Sequence, residues 1–415
     1  MPKSTSLRNI ASGAIGNTLE WYDFAIYGYF ATSIGRLFFP KEDSVAQVLA
    51  AFGIFAIGYV MRPLGGVIIG YIGDRVSRRA ALNVSIVAMA SSTFVIGVLP
   101  GYATIGVAAP ILLTACRMLQ GLSVGGEYTT SLVFMVENAP RNRRGFNGAL
   151  GCCGAVLGIL LGSATGALLA AFMSAEDLET WGWRIPFILG LVIGLAGIVL
   201  RRHVDDASKP IDDPDNPLLE TLKTQRTVVV QIMALTASNA IPFYLLFVYI
   251  VSWLELVNKM PPEKSLVINT VSMVALIPIQ LIAGSISDRI GRKPVLIAAS
   301  VAAIVFSIPL FHGMYQQSMV MIQLSQLCFA IIAGTYLGVM PAFMVELPAP
   351  QVRSTTIALG YNLTAGVIGG FTPFAAAWLI HRTRDDISPA YILMAAAAIS
   401  LAAILSMKES YRKAL

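Results

Sequence analysis

Glu20 and Asp23 stand in the middle of the first long apolar segment, in the run G-N-T-L-E-W-Y-D-F-A-I-Y-G-Y-F (16–30), with Trp21, Tyr22 and Tyr27 around them. An ionised carboxylate near a bilayer centre costs about 2.5–3.5 kcal/mol on insertion scales. Acids kept at that depth point to proton binding, a carboxylate that loads and unloads a proton as its surroundings change. Three residues apart, the two share one helix face. Asp23 is the leading proton carrier and Glu20 the second; the alternative is that both only brace helix packing.

Arg117, about half-way along the fourth apolar segment in A-C-R-M-L-Q-G-L-S-V-G-G-E-Y (115–128), is the cation at similar depth. A buried guanidinium needs an anion, so a pair with Asp23 is expected. If that contact changes between two conformations, proton affinity depends on state, which is what coupling requires; a static brace is the other reading. Glu127 follows Arg117 by ten residues, about 15 Å along a helix. Arg62 of R-P-L-G-G (62–66) is its expected partner, as a second proton stop or a structural pair.

A second constellation lies in short basic turns. G-D-R-V-S-R-R (73–79) supplies Asp74, Arg75 and Arg78, and S-D-R-I-G-R-K (287–293) supplies Asp288, Arg289 and Arg292 at the same spacing. With Glu137 and Glu346 they fit a cytoplasmic gate that latches onto helix ends in one state and lets go in another. The alternative is a topology signal alone. A phosphate-binding loop is excluded, because no strand precedes these glycines.

The elements that hold these groups follow from composition. The 415 residues are 56% hydrophobic and 13% charged, with a mean hydropathy of +0.71. Apolar runs recur along the chain, each long enough for the roughly 20 helical residues that cross a hydrocarbon core. An all-α polytopic membrane protein is expected, with twelve transmembrane helices in two pseudo-symmetric six-helix bundles. The predicted spans are 12–38, 45–72, 80–99, 104–137, 146–172, 184–201, 226–256, 264–287, 294–312, 317–346, 354–380 and 389–407. Residues 1–201 form the bundle with the coupling charges, 202–225 a cytoplasmic linker rich in Asp and Pro, and 226–415 the second bundle.

The halves repeat. E-N-A-P-R-N-R-R-G-F-N-G-A-L-G (137–151) stands in register with E-L-P-A-P-Q-V-R-S-T-T-I-A-L-G (346–360), and Asn17, Tyr22 and Tyr27 match Asn239, Tyr244 and Tyr249. Duplicated halves of this kind mark transporters that bind near the midplane. In the same alignment Asp23 meets Leu245 and Glu20 meets Pro242. Proton chemistry therefore belongs to the first half. The second half is left to shape the substrate site with Asn239, Tyr244, Tyr336, Tyr361 and Asn362, to which the first adds Tyr22, Tyr27 and Arg117.

The net charge of +6 reflects topology. Arg75, Arg78, Arg79, Arg141, Arg143, Arg144, Arg289, Arg292 and Lys293 are among the basic residues that crowd loops on one side, against Arg36, Lys41, Arg184, Lys259, Lys264, Arg382 and Arg384 on the other. By the positive-inside rule both termini are cytoplasmic, and nucleic acid is not an expected partner. Cys116, Cys152, Cys153 and Cys328 lie in apolar segments without metal-ligand spacing and read as small buried hydrophobes. His203, His312 and His381 fall near span ends or in loops, so carboxylates remain the titrating groups. No small-residue cleavage site follows the first segment, so a cleaved signal peptide is not expected. Glycines at 148, 151, 154, 158, 162 and 166 stripe the fifth span for close packing.

With these residues laid out, the chain resembles the major facilitator superfamily, and within it the metabolite:proton symporters, which include transporters of proline and glycine betaine, alpha-ketoglutarate, citrate and shikimate. The markers are 16–24, R-P-L-G-G with 73–79, R-M-L-Q-G-L-S-V-G-G-E-Y (117–128) and W-G-W-R-I-P-F (181–187). The resemblance implies proton-driven uptake across a bacterial inner membrane, with Asp23 and Arg117 as coupling residues. Osmosensing members carry a long C-terminal coiled coil; the eight residues after Met407 show no heptads, so that device is not expected here. The leading expectation is a monomeric symporter importing a small carboxylate-bearing metabolite with protons, without cofactor or metal. A zwitterionic osmolyte such as betaine, proline or taurine, or a proton-antiport exporter, are the alternatives. A membrane sensor would need a signalling domain that a linker of 24 residues does not hold, and an enzyme would need a nucleophile–base set or metal cluster that the sequence does not offer.

Overall fold

The computed structural model describes residues 18, 20–40, 44–65, 68–69, 78–123, 127–201, 217–316 and 318–411. Every regular element among them is helical, and each predicted span falls mainly on helix where it is described. The spans are α1 (20–38), α2 (Ser44–Gly65), α3 (Arg78–Val98), α4 (Ala108–Ser123 with Glu127–Glu137), α5 (Arg144–Phe172) and α6 (Arg184–Arg201). Then follow α7 (Arg226–Leu256), α8 (Pro262–Ile290), α9 (Arg292–Tyr315), α10 (Met319–Glu346), α11 (Pro350–Thr383) and α12 (Pro389–Ser406). Eight of the helical segments among the described residues are long and apolar enough to cross a membrane. Exposed Ile, Leu, Val and Phe side chains such as Val305, Phe306, Leu324 and Ile331 suit a hydrocarbon surround.

The chain packs as two compact units. One comprises Met1–Tyr128 with Gly154–Asp213; the other comprises Thr129–Cys153 with Pro214–Leu415. In the first unit α3 lies against α4 and α6, and α2 against α4. Glycine makes the α2–α4 approach possible: a Cβ on Gly121 would fall 1.8 Å from the Gly58 carbonyl oxygen. In the second unit α8 and α9 flank α10, and α12 packs on α7 and α9. Gly338 repeats the device, since a Cβ there would lie 2.1 Å from the Gln280 carbonyl oxygen.

Two helices of the second unit are interrupted by wide turns, Leu245–Tyr249 in α7 and Asn362–Gly369 in α11. Pro242 and Pro373, which have no N–H to donate, lie close by. In α7 the released carbonyls find side-chain donors: Gln326 Nε2 reaches the Leu246 carbonyl at 2.5 Å and Asn269 Nδ2 the Phe247 carbonyl at 3.2 Å. Of the cysteines, Cys152 and Cys153 are buried as expected, whereas Cys116 is half-buried and Cys328 exposed. Cys328 faces outward from α10, where a small apolar thiol is tolerated by lipid as well as by a core.

Candidate functional site

Asp23 and Arg117 are both buried, at 4% and 0% exposure. They do not form the direct pair expected from sequence. The Asp23 carboxylate accepts from Thr93 of α3, Oγ1 to Oδ2 at 2.8 Å. Arg117 Nη1 donates to Gln120 Oε1 at 2.8 Å, and Gln120 Nε2 donates to Thr93 Oγ1 at 2.7 Å. A neutral amide and a neutral hydroxyl thus connect the two charges. The physical reason is local: Gln120 is one helical turn from Arg117 and shares its face, so the guanidinium meets an amide before it can reach α1.

The rest of the guanidinium is held by rings. Its carbon lies 4.4 Å from the Tyr27 ring centre, 4.7 Å from Phe24 and 5.2 Å from Phe55. Such faces attract a cation by about 2 kcal/mol or more when water is excluded. Nε and Nη2 have no hydrogen-bond partner among the described residues. Gly58 lies beside them, its Cβ position 3.4 Å from each. On the far side of Asp23 is Gly190 of α6, whose Cβ position is 3.0 Å from Oδ1, so a side chain there would press on the carboxylate.

Glu20 is buried and accepts from Arg62 Nη2 at 3.1 Å. Arg62 also stacks on Tyr59 and Phe24, at 4.4 Å and 4.7 Å from the ring centres. The Phe24 ring therefore lies against both guanidiniums. The side chain of Glu127, the partner expected for Arg62, lies outside the described residues; Glu20 is a partner of Arg62 within them. That ion pair leaves Asp23 as the buried acid of α1 whose carboxylate is held by a hydroxyl.

The tyrosines expected to touch substrate are in part braces. Tyr22 donates to the Pro186 carbonyl and Tyr27 to the Ala51 carbonyl, each at 3.0 Å, and Tyr336 to the Leu235 carbonyl at 2.8 Å. A buried hydroxyl takes the nearest carbonyl in an apolar bundle, and here that is main chain. Tyr244 is buried against Gly369, where a Cβ would sit 2.7 Å from its ring. Asn239 and Tyr361 are buried, and Asn362 opens the wide turn of α11.

The gate residues of the second unit do come together. Arg292, fully buried, pairs with Asp288 at 2.8 Å and with Glu346 at 3.1 Å. Asp288 also accepts the backbone N–H groups of Gly145 at 2.8 Å and Phe146 at 3.0 Å. These belong to the first turn of α5, where amides lack helical partners and the dipole is positive. Gly145 is required there, since a Cβ would lie 2.3 Å from the Gly284 carbonyl oxygen. Ser410 donates to Glu346 at 2.7 Å, and Glu137 pairs with Arg353. Arg289 is exposed beside the cluster. Asp74 and Arg75 lie outside the described residues, as does the side chain of Arg78. No group of His, Cys, Asp and Glu able to hold a metal occurs among the described residues.

Thr93, Gln120 and Arg353 were missed by sequence reasoning. Gln120 carried a usable signal in its spacing from Arg117, and Arg353 in its register with Arg144; Thr93 carried none beyond a hydroxyl in an apolar run.

Comparison with known proteins agrees with this architecture. Residues 13–373 match the Major Facilitator Superfamily model. A proline/betaine transporter of Salmonella typhimurium is 34% identical over 421 residues, covering 98% of this chain and 84% of the relative. The glycine betaine/proline/ectoine/pipecolic acid transporter OusA of Dickeya dadantii is also 34% identical, with the same coverage. Among solved structures, the xylose transporter XylE from E. coli superposes with a TM-score of 0.75 at 17% identity, over 98% of this chain and 99% of that one. The protein is a multi-pass membrane transporter belonging to the major facilitator superfamily.

Proposed function

We propose that the protein imports a small carboxylate-bearing solute together with protons by alternating access, and that the solute is a zwitterion of the proline or betaine type. The observation that carries this reading is the buried Asp23 joined to Arg117 through Thr93 and Gln120. A carboxylate arriving at the unpartnered Nε and Nη2 of Arg117 offsets its charge. Ionised Asp23 then loses part of its compensation, so anion and proton favour each other's binding. That is the sign symport requires. The choice of zwitterion is supported by the relatives, whose names specify proline, betaine, ectoine and pipecolic acid.

In this reading 1–201 and 226–415 are the two moving halves, 202–225 links them, and one copy of the chain suffices. The protein sits in the bacterial inner membrane with both termini and the Asp288–Arg292–Glu346 cluster on the cytoplasmic side. The loop charges support that orientation. The cluster acts as the gate: its ion pairs and the cap on α5 hold that side shut and part when it opens.

The test is transport by purified protein in liposomes under an imposed inward proton gradient, after a thermal-shift screen of proline, glycine betaine, ectoine, pipecolate and dicarboxylates. Gradient-driven uptake of a zwitterion is expected. Uptake of dicarboxylates alone would move the substrate class, and accumulation only against an outward gradient would reverse the direction.

A further inference from the structure

Thr93 faces two acceptors at nearly equal range, Asp23 Oδ2 at 2.8 Å and the Met89 carbonyl at 2.9 Å, while receiving Gln120 Nε2 at 2.7 Å. A hydroxyl has one proton and two lone pairs, so it serves one of those acceptors at a time. The direction of the chain is fixed from its other end. A guanidinium only donates, so the amide oxygen of Gln120 must face Arg117 and its N–H must face Thr93. Thr93 therefore always accepts from Gln120 and keeps its proton for Asp23 or Met89.

We infer that Thr93, oriented by Gln120, is a hydroxyl switch that keeps Asp23 hydrogen-bonded in both of its protonation states. With Asp23 ionised, Thr93 donates to the carboxylate. A proton from solvent then forms the carboxyl O–H bond; that O–H donates to the second lone pair of Thr93, whose own proton turns to the Met89 carbonyl. The Thr93 hydroxyl keeps its proton and its lone pairs partnered on either side of the step, and Thr93 and Gln120 exchange no proton themselves. In a site where Thr93, Gln120 and Arg117 are fully buried, this removes the penalty for an unmatched polar group. Thr93 and Gln120 are positioning residues for proton binding.

The charged and titratable groups around Asp23 are few. Its own helix brings Glu20, Tyr22 and Tyr27; α2 brings Arg62, engaged by Glu20, and Tyr59; α4 brings Arg117. The neighbouring residues from α3 and α6, Thr93 and Gly190, do not titrate.

The inference rests on the reading of Asp23 as the transport acid, and its test separates the two. Infrared titration of the purified protein follows the carboxyl band that Asp23→Asn removes. In Thr93→Val the midpoint of that band is expected to move by about tenfold or more in proton concentration, the difference between a charge-assisted and a neutral hydrogen bond. Thr93→Ser, which keeps the hydroxyl, restores it, and Gln120→Met shifts it in part. An unchanged midpoint in Thr93→Val, a failure of Thr93→Ser to restore it, or the absence of any band removed by Asp23→Asn overturns the switch. Proline uptake under a proton gradient is measured on the same variants. Uptake that survives Asp23→Asn defeats the transport reading, while the band titration still decides the role of Thr93.

Discussion

The Asp23–Arg117 set of the first unit and the Arg292 cluster of the second handle charge in opposite ways, although the first unit also holds the direct Glu20–Arg62 pair. In the first, Asp23 and Arg117 are kept apart by Thr93 and Gln120, and the arginine rests on aromatic faces. In the second, Arg292 touches Asp288 and Glu346 directly, and Asp288 is fastened to the first turn of α5. A direct buried pair is held by the charge that would be left alone if it broke, which suits a lock. A neutral bridge transmits a change in charge without requiring the charged groups to part, which suits coupling. The sequence repeat placed charges in both halves, but the groups between the charges decide what each set does.

Removing the acid breaks the comparison most severely. Asp23→Asn is expected to lower gradient-driven solute accumulation by about a hundredfold or more, the scale of a lost protonation step. Solute counterflow, which needs no net proton movement, should persist. Accumulation near the wild-type level would return the role to Glu20 or Glu127. In the lock, Arg292→Ala leaves Asp288 and Glu346 buried without their cation and should cost about 3–5 kcal/mol, read as a fall in thermal unfolding temperature. A variant as stable as wild type would mean that the cluster is no lock. Smaller still is Gly145→Ala, whose methyl must displace the Gly284 carbonyl or the Arg292 guanidinium. Overpacking of this kind costs about 1–3 kcal/mol, and faster labelling of a cysteine placed at Asn142 would report the loosened α5 cap. Labelling at the wild-type rate would show that α5 needs no such closeness.

How much of this was legible in the sequence depends on what each residue type costs in a membrane. Asp23, Glu20 and Arg117 stood out because an ionised group in an apolar run demands a reason. Asp288, Arg292 and Glu346 stood out because the halves repeat. Thr93 did not, because threonines in apolar helices commonly bond back one turn, as Thr114 does to the Pro110 carbonyl and Thr93 itself does to Met89. Its second acceptor exists only once α1 and α3 are packed. The wide turn at Leu245–Tyr249 was equally hidden: the side-chain donors to its carbonyls, Gln326 and Asn269, come from α10 and α8. The Glu20–Arg62 pair likewise exists only once α1 and α2 are packed.

The most direct measurement is proton uptake on solute binding, followed with a pH indicator in weakly buffered, detergent-purified protein as proline or glycine betaine is added. The wild-type protein should take up protons as it binds, and Asp23→Asn should bind without taking any up. Proton release on binding, or the same uptake in Asp23→Asn, would contradict the coupling of that carboxylate to solute through Thr93, Gln120 and Arg117.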